Sequence, residues 1–157
     1  MKITAKFVHA NIVAKDWKVL ATFYEQTFGC VRIPPERALS GKWLEDATGV
    51  PDAALRGVHL RLPGYGETGP TLEIFQYQQQ PEKAPTAIHC PGLTHIAFAV
   101  DDVAAAREIV LNAGGGEVGK LTTAEIPGAG QITFVYLTDP EGNILELQQW
   151  HRNQELF

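Results

Sequence analysis

The chain has 157 residues, 45% of them hydrophobic and 20% charged, and this composition is ordinary for one globular domain with a substantial core. It argues against a disordered protein, and no stretch approaches the roughly 18 apolar residues of a membrane-spanning helix. The net charge of -5 comes without a cluster of lysine and arginine, so the expected partner is a small molecule and neither nucleic acid nor a membrane.

The first residues predict a strand followed by a helix. The N-terminus has no apolar core of a signal peptide, so we expect a cytoplasmic protein. Residues 7–14 are rich in β-forming side chains and alternate loosely. Asp16 then offers an N-cap for a helix with apolar residues at helical spacing, and Gly29 suits its C-terminal end. A short strand is predicted near residues 30–33.

The next segment, residues 34–56, is predicted to be an irregular insertion. It opens with two consecutive prolines and contains a possible short helix over residues 41–48, closed by Gly49 and Pro51. Long irregular segments within compact domains are commonly lids or binding loops. We therefore expect this insertion to cover a site, with Trp43 as a side chain that reaches the substrate.

A hairpin and a linker complete the first half. Residues 56–62 alternate strictly and stop at a Pro-Gly pair, which predicts a strand that turns into a second strand carrying Glu73. The polar, proline-containing residues 79–91 show no periodicity and form the predicted linker. The first module is thus predicted to span residues 1–78.

The second half repeats this pattern over residues 92–157. Residues 93–100 predict a strand, Asp102 a helix cap, and residues 103–113 a helix that ends at three glycines. A further strand over residues 131–137 leads through a strong turn signal, Asp-Pro-Glu-Gly-Asn, into a last strand. Each half therefore has the order strand, helix, then two or three strands.

The two halves align as an internal duplication. Superposing His9 on His95 brings the two predicted helix caps together without a gap, and the last strands match around Glu73 and Glu146. The spacing between the histidine and the glutamate is longer in the first half, and the extra residues fall within the insertion. Both modules are expected to form one domain.

His9, Glu73, His95 and Glu146 form a candidate metal site. A charged glutamate between apolar neighbours in a strand is unfavourable unless something pairs with it, and a cation would provide that pair. Imidazole nitrogen and carboxylate oxygen without thiolate suit Zn, Ni, Co, Mn or Fe(II). The alternative is structural, because a strand histidine is commonly a hydrogen-bonded residue and a strand glutamate commonly faces solvent. Recurrence at matched positions of the repeat favours the metal.

The paired strand and helix pattern, these four residues, and the sequence Asp-Pro-Glu-Gly-Asn-Ile-Leu-Glu-Leu at residues 139–147 resemble the vicinal oxygen chelate superfamily. This superfamily includes glyoxalase I, methylmalonyl-CoA epimerase, extradiol dioxygenases and the fosfomycin and bleomycin resistance proteins. The resemblance covers almost the whole chain outside the insertion and the last few residues. It implies an α+β fold of two tandem βαβββ modules whose curved sheets form an open barrel-like cleft.

The resemblance also implies where the metal ligands lie. His9 and Glu73 would lie on neighbouring strands of one module, and His95 and Glu146 on the other, with a divalent metal on the floor of the cleft. Whether the two modules of one chain share the cleft or pair across a dimer stays open. A homodimer is the expected assembly.

The expected enzyme is an isomerase or lyase of the glyoxalase or epimerase type. Glyoxalase-like relatives bind the metal through four protein ligands of this kind, and all four positions are occupied here. Removal of a proton next to a carbonyl would leave an enediolate that a divalent ion stabilises, with Glu146 or Glu73 as the base. Two alternatives stay open: an extradiol Fe(II) dioxygenase that uses His9, His95 and Glu146, and a metal-free binding or resistance protein.

Substrate contacts are predicted from the alignment of the two hairpins. It places His59 opposite Tyr136 and Gly57 opposite Phe134 on one strand face, so His59, Phe134 and Tyr136 are candidates for lining the cleft. The alternatives are that Phe134 and Tyr136 belong to the core and that His59 is solvated.

Two pairs of residues complete the set of candidates. Arg56 and Arg61 are candidates for binding an acidic substrate, such as a glutathione or coenzyme A thioester, although surface arginines are commonly only solvated. Cys30 and Cys90 have neither a close pairing nor metal-type spacing, so we expect ordinary thiols and no disulfide framework.

Overall fold

The structure is a computed structural model that describes residues 2–151. It comprises two compact units, which divide between Lys83 and Ala84, within the segment predicted as the linker. Among the described residues, no helix is long and apolar enough to cross a membrane. Each unit combines one β-sheet with at least one α-helix packed on it, so the predicted α+β fold class is confirmed.

The described part of the first unit contains two α-helices, a short 3-10 helix at Gly66–Thr68 and a four-stranded sheet. Its elements in chain order are β1 (His9–Val13), α1 (Trp17–Phe28), β2 (Val31–Ser40), α2 (Lys42–Thr48), β3 (Ala54–Arg61) and β4 (Thr71–Tyr77). The sheet order is β1-β4-β3-β2, in which β1 runs parallel to β4 and the other neighbours are antiparallel. The last strand in sequence is therefore central, with β1 on one side and β3 on the other.

Helix α1 packs on one face of this sheet. It begins at Asp16, whose side chain accepts hydrogen bonds from the backbone N–H groups of Lys18 and Val19, and it ends at Gly29, whose φ of 69° lies in the left-handed region. Both predicted ends are confirmed. The helix buries its apolar side against β3 and β4. The side chains of this core that are at most 1% exposed include Leu20, Tyr24, Val58, Leu60, Leu72 and Ile74.

Strand β2 contains a large bulge. Its pairing with β3 joins Ile33 to His59 and, after three bulged residues, joins Arg37 to Gly57. The bulge includes the two prolines, which have no N–H group to donate to a strand ladder. The sequence predicts an irregular segment here, and that prediction is wrong because the chain returns to the sheet and stays paired as far as Ser40.

Helix α2 covers part of the sheet face opposite α1. Because β4 alternates, Glu73, Phe75 and Tyr77 point away from α1, and we call this side the Glu73 face. Leu44 of α2 is 5% exposed and packs in an apolar cluster that includes Phe75 and Tyr77. The short helix predicted within the insertion is thus confirmed, and it rests on the same sheet face as Glu73.

Up to His151, the second unit contains one helix and a five-stranded sheet. Its elements are β5 (His95–Ala99), α3 (Val103–Asn112), β6 (Gly116–Glu117), β7 (Thr122–Ile126), β8 (Gly130–Thr138) and β9 (Ile144–His151). The sheet order is β5-β9-β8-β6, and β7 also pairs with β8. The sequence does not predict β6 and β7, because β6 is only two residues long and most side chains of β7 are exposed.

The two units share the arrangement that the internal duplication predicts. An aspartate caps the helix of each unit at the matching position. In both units the first strand runs parallel to the last in the same register, since Asn11 pairs with Glu73 and Ala97 pairs with Glu146. The repeated sequence pattern therefore corresponds to a repeated strand pairing.

A buried aspartate shapes the turn that leads into β9. Asp139 is 1% exposed, and its carboxylate accepts hydrogen bonds from the backbone N–H groups of Glu141 and Asn143 and from the side-chain amide of Asn143. This confirms the turn predicted at residues 139–143. The turn fixes the start of β9 and hence the position of Glu146 along the strand.

Candidate functional site

The carboxylate of Glu73 lies at the centre of a polar cluster on the Glu73 face. Its Oε2 atom is 3.3 Å from Nε2 of His9 and 3.3 Å from Nδ2 of Asn11, and its Oε1 atom is 3.0 Å from Nε2 of His59. The strand register explains this, because Glu73 pairs with Asn11 on β1 and with His59 on β3. Both oxygens of the carboxylate are therefore engaged by neighbouring strands.

This cluster satisfies a largely buried charge. The side chain of Glu73 is only 12% exposed, and an unpaired carboxylate at such a position would be strongly unfavourable. Burial lowers the pKa of His59, the Glu73 charge opposes that change, and the charges of Arg37 and His9 add to it. The lowered pKa favours the neutral form of His59 at pH 7, with its Nε2 atom 3.0 Å from Glu73.

Glu146 forms the matching pair in the second unit. Its Oε2 atom is 3.1 Å from Nε2 of His95, and the other ring nitrogen of His95 lies 3.0 Å from the hydroxyl of Thr94. The ring of Tyr136 is 5.2 Å from that of His95 and 5.8 Å from that of Phe134. Burial, and then the charge of Glu146, raises the pKa of Tyr136, so its hydroxyl stays protonated at neutral pH.

The two carboxylates differ in their partners. At the matched positions of the duplication, Ala97 stands in place of Asn11, and Tyr136 stands in place of His59. The register of both hairpins confirms the predicted alignment of His59 with Tyr136. The second unit thus keeps the histidine and glutamate pair and replaces the other two polar partners of Glu73 by a methyl group and a phenol.

The predicted substrate contacts differ in how far they are exposed. Phe134 and Tyr136 are half-buried, and His59 has 21% of its side chain exposed, so Phe134 and Tyr136 are not core residues and His59 is not fully solvated. Trp43 lies in the first turn of α2 with 57% exposure. Its predicted role at the substrate stays a prediction.

Two further side chains on the Glu73 face were not among the predicted contacts. The ring of Phe75 lies 5.7 Å from that of His59 and directly over Gly57, where an added Cβ would be only 2.5 Å from a ring carbon. A glycine within an alternating strand is the sequence signal for such a close approach. Asn11 shows a weaker signal, since it follows His9 by two residues and therefore shares its strand face.

The candidate arginines point to different faces of the sheet. Arg56 shares the parity of the buried Val58 and therefore faces the α1 side, whereas Arg61 shares the parity of His59 and faces the Glu73 side. A cavity of about 660 Å³ between the start of α1 and the ends of β2, β3 and β4 is lined in part by Arg56, and none of the candidate metal ligands lines it. The histidine and glutamate pairs, which carry the candidate chemistry, lie away from this cavity.

The spacing of each pair fits a shared cation. Two donors that bind one ion at about 2.0–2.2 Å lie roughly 3 Å apart when the angle between them is near a right angle. The separation is 3.3 Å between His9 and Glu73 and 3.1 Å between His95 and Glu146. Within residues 2–151, no group of three or more histidine, cysteine, aspartate or glutamate side chains has a metal-binding arrangement. Each unit thus offers one suitably spaced pair.

Comparison with solved structures shows the same fold. A glyoxalase family protein from Bacillus cereus matches with a TM-score of 0.72 and 15% identity, covering 97% of both chains. A glyoxalase/bleomycin resistance protein/dioxygenase family enzyme from Burkholderia phytofirmans matches with a TM-score of 0.61 and 16% identity over 94% of this chain and 100% of the other. A glyoxalase I mutant from Zea mays matches with a TM-score of 0.59 and 19% identity over 90% of this chain but only 45% of the maize protein.

Sequence comparison identifies the family. The chain is 29% identical over 142 residues to the uncharacterized protein YaeR of Escherichia coli K12, a match that covers 90% of this chain and 93% of YaeR. The family model described as Glyoxalase/Bleomycin resistance protein/Dioxygenase superfamily matches residues 6–147, which include both histidine and glutamate pairs. The chain therefore belongs to the Glyoxalase/Bleomycin resistance protein/Dioxygenase superfamily.

Proposed function

We propose that this chain is a divalent-metal-dependent isomerase or lyase that abstracts a proton next to the carbonyl group of a small substrate, in the manner of glyoxalases and epimerases. The observation that supports this most directly is the repeated pair, His9 with Glu73 at 3.3 Å and His95 with Glu146 at 3.1 Å. Each pair combines a largely buried carboxylate with an imidazole at matching positions of the duplication.

The proposed ligands are His9, Glu73, His95 and Glu146. Their nitrogen and oxygen donors suit Zn, Ni, Co, Mn or Fe(II). When bound, such an ion supplies a Lewis acid that stabilises negative charge on substrate oxygens. The hydrogen bond from Asn11 to Glu73, the 3.0 Å contact of His59 with Glu73, and the contact of Thr94 with His95 would orient the ligand side chains.

Glu146 is the proposed base, with Glu73 as the alternative. An ionised carboxylate takes a proton from a substrate that lies within hydrogen-bond reach. In the described part of the chain, the Oε1 atom of Glu146 has neither a hydrogen-bond nor an ion-pair partner, whereas both oxygens of Glu73 contact a neighbouring side chain. Glu146 is therefore the carboxylate with an oxygen available to a substrate.

The proposed substrate contacts come from aromatic and imidazole side chains. Phe134 and Tyr136 offer an apolar surface with one protonated hydroxyl beside Glu146. His59 and Trp43 are the proposed contacts of the first unit. These groups would hold a small carbonyl compound and exclude water from its reacting carbon.

A second candidate function is an extradiol-type Fe(II) dioxygenase. The observation that favours it is the engagement of both Glu73 oxygens by other side chains, which leaves His9, His95 and Glu146 as a set of two histidines and one carboxylate. This set is typical of non-haem Fe(II) oxygenases. Glu73 would then have a structural role.

Metal analysis of the purified protein tests both candidates. We expect about one divalent ion per chain in the wild-type protein and in a control with the exposed His89 changed to alanine. The changes His9→Ala and His95→Ala should each lower the metal content. If no divalent ion copurifies or binds at micromolar concentration, both enzyme proposals fail and a metal-free binding protein is the remaining reading.

Activity assays separate the two enzyme candidates. Turnover of the methylglyoxal–glutathione adduct or epimerisation of a coenzyme A ester, with loss on Glu146→Gln, would support the isomerase or lyase. Oxygen uptake with catechols in the presence of Fe(II) would support the dioxygenase and would contradict our first choice.

The proposed assembly is a homodimer. Analytical ultracentrifugation measures it directly, because one chain has a mass of 17.2 kDa. Sedimentation at the mass of a single chain at micromolar concentration would contradict the proposal.

A further inference from the structure

The arginines of the described chain fall into two groups. Arg32 and Arg107 each lie within ion-pair distance of two glutamates. Among residues 2–151, no carboxylate lies within that distance of Arg37, Arg56 or Arg61. An arginine with a carboxylate partner is already neutralised, whereas one without such a partner retains its full charge for an external anion.

The bulge in β2 places Arg37 on the Glu73 face. Arg37 is the first residue after the bulge and pairs directly with Gly57 of β3. Side chains of directly paired antiparallel residues point to the same face, and Gly57 shares its face with His59, which follows it by two residues. Arg37 is therefore diagonally adjacent to His59, which in turn contacts Glu73.

The surroundings of Arg37 hold its side chain and leave most of its donors available. One terminal nitrogen donates to the carbonyl oxygen of Pro35, within the bulge. A guanidinium has five N–H donors, so the remaining ones are available to a ligand.

The neighbouring surface includes an apolar ring. Gly57 has no side chain, and the ring of Phe75 lies over it, so an apolar floor extends between Arg37 and His59. Arg61 lies on the same face, on the other side of His59 along β3, and adds a second positive charge there. A small ligand with a negatively charged end for Arg37 and a neutral reacting end near His59 would match this arrangement.

We propose that Arg37 binds a terminal oxyanion group of the substrate, a carboxylate or a phosphate, and thereby places the neutral carbonyl end over Phe75 toward His59 and Glu73. The identification of the ligand as a substrate rests on the proposed function. The substrate class is then a small oxo acid or a phosphorylated carbonyl compound. A guanidinium suits either group, because its parallel N–H donors match two oxygens of one anion.

Binding of matched probes tests the proposal. ¹H–¹⁵N NMR titrations of the full chain would use pyruvate and its uncharged methyl ester, and dihydroxyacetone phosphate and uncharged dihydroxyacetone. We expect the anionic probes to bind, to shift the backbone signals of Arg37 and Gly57, and to bind about tenfold or more tightly than the uncharged ones. The stronger of the two anionic probes tells whether the natural group is a carboxylate or a phosphate.

Two substitutions provide the matched comparison. Arg37→Gln keeps the length of the side chain and removes its charge, and it should weaken binding of the anionic probe about tenfold or more. Lys18→Gln removes an exposed positive charge from α1, on the opposite face of the sheet, and should leave binding unchanged. Arg37→Lys keeps the charge without the fork of donors and should bind with intermediate affinity. Far-UV circular dichroism and thermal melting confirm that each variant is folded.

The outcomes separate this proposal from the proposed function. The oxyanion site is refuted if neither anionic probe binds, if acid and ester bind alike, or if folded Arg37→Gln binds as the wild type does. Titration of Zn²⁺ into the same samples is independent, and Arg37→Gln should bind Zn²⁺ as the wild type does. Arg37-dependent anion binding without any divalent-metal binding would retain the oxyanion site and refute the metal-dependent reaction.

Discussion

The Nε2 atom of His59 lies 3.0 Å from the Oε1 atom of Glu73, at directly paired positions of the neighbouring strands β3 and β4. The other carboxylate oxygen lies 3.3 Å from His9. His59 therefore fixes which oxygen of Glu73 is presented to His9. Partners of this kind orient metal ligands in many proteins.

Removal of the His59 contact should weaken metal binding. His59→Phe keeps a ring at this position but removes the polar group, so the Oε1 atom of Glu73 loses its 3.0 Å contact and the carboxylate is held only through Oε2. We expect Zn²⁺ affinity, measured by isothermal titration calorimetry, to fall about 10–100-fold. His59→Gln, which keeps a donor, should recover part of the loss. His89→Ala, at an exposed histidine, is the control, and unchanged affinity of His59→Phe would refute the orienting role.

A side chain at Gly57 should destabilise the fold. A Cβ atom there would lie 2.0 Å from the carbonyl oxygen of Ile74 and 2.5 Å from a ring carbon of Phe75. Since both strands must shift, we expect Gly57→Ala to lower the free energy of unfolding by about 1–3 kcal/mol, measured by urea denaturation. Gly119→Ala, where a Cβ meets nothing within 4 Å, is the matched control. Equal stability of the two variants would contradict the close approach.

The hydrogen bonds that the Asp139 carboxylate accepts should contribute strongly to the stability of the fold. Asp139→Ala removes the acceptors for the backbone N–H groups of Glu141 and Asn143 at a position that is 1% exposed. We expect a loss of about 2–4 kcal/mol in the free energy of unfolding, because buried donors are left without partners. Asp139→Asn keeps one acceptor oxygen and should lose less. The same loss for both variants would show that the charge, and not the hydrogen bonds, matters.

The two cysteines should differ in reactivity. Burial, and then the charge of Glu25, raises the pKa of Cys30 to about 11, so roughly one thiol in a thousand is ionised at pH 8. Cys90 is exposed. A thiol reagent such as DTNB should modify Cys90 in the folded protein within minutes and Cys30 only after unfolding or as the pH approaches 11. Fast modification of a folded Cys90→Ser variant at pH 8 would contradict the burial of Cys30.

Local signals in the sequence predicted most of the fold correctly. The caps of α1 and α3 and the turn at residues 139–143 depend on hydrogen bonds between residues that are close in the chain. Such contacts form in the same way wherever the segment is placed, so an aspartate or glycine at the right spacing is a sufficient signal. Strands β6 and β7 lack an apolar pattern, so the sequence does not predict them.

The register of β2 against β3 is not predictable from local signals. Three bulged residues separate the pair Ile33 and His59 from the pair Arg37 and Gly57. A one-residue error in such a bulge moves a side chain to the other face of the sheet. The sequence therefore does not determine that Arg37 of β2 and His59 of β3 lie on the same face of the sheet.

The internal duplication was sufficient to select His9, Glu73, His95 and Glu146 as a set, and the resemblance to the vicinal oxygen chelate superfamily implied which histidine lies beside which glutamate. The contact of His59 with Glu73, the ring of Phe75 over Gly57, and the position of Arg37 depend instead on pairings between residues distant in the chain. These pairings follow from the packing of α1 and α2 on the two faces of the sheet, and a single strand carries no signal for them. The identity of the histidine and glutamate pairs is thus a property of the sequence, and the choice of their neighbours is a property of the folded sheet.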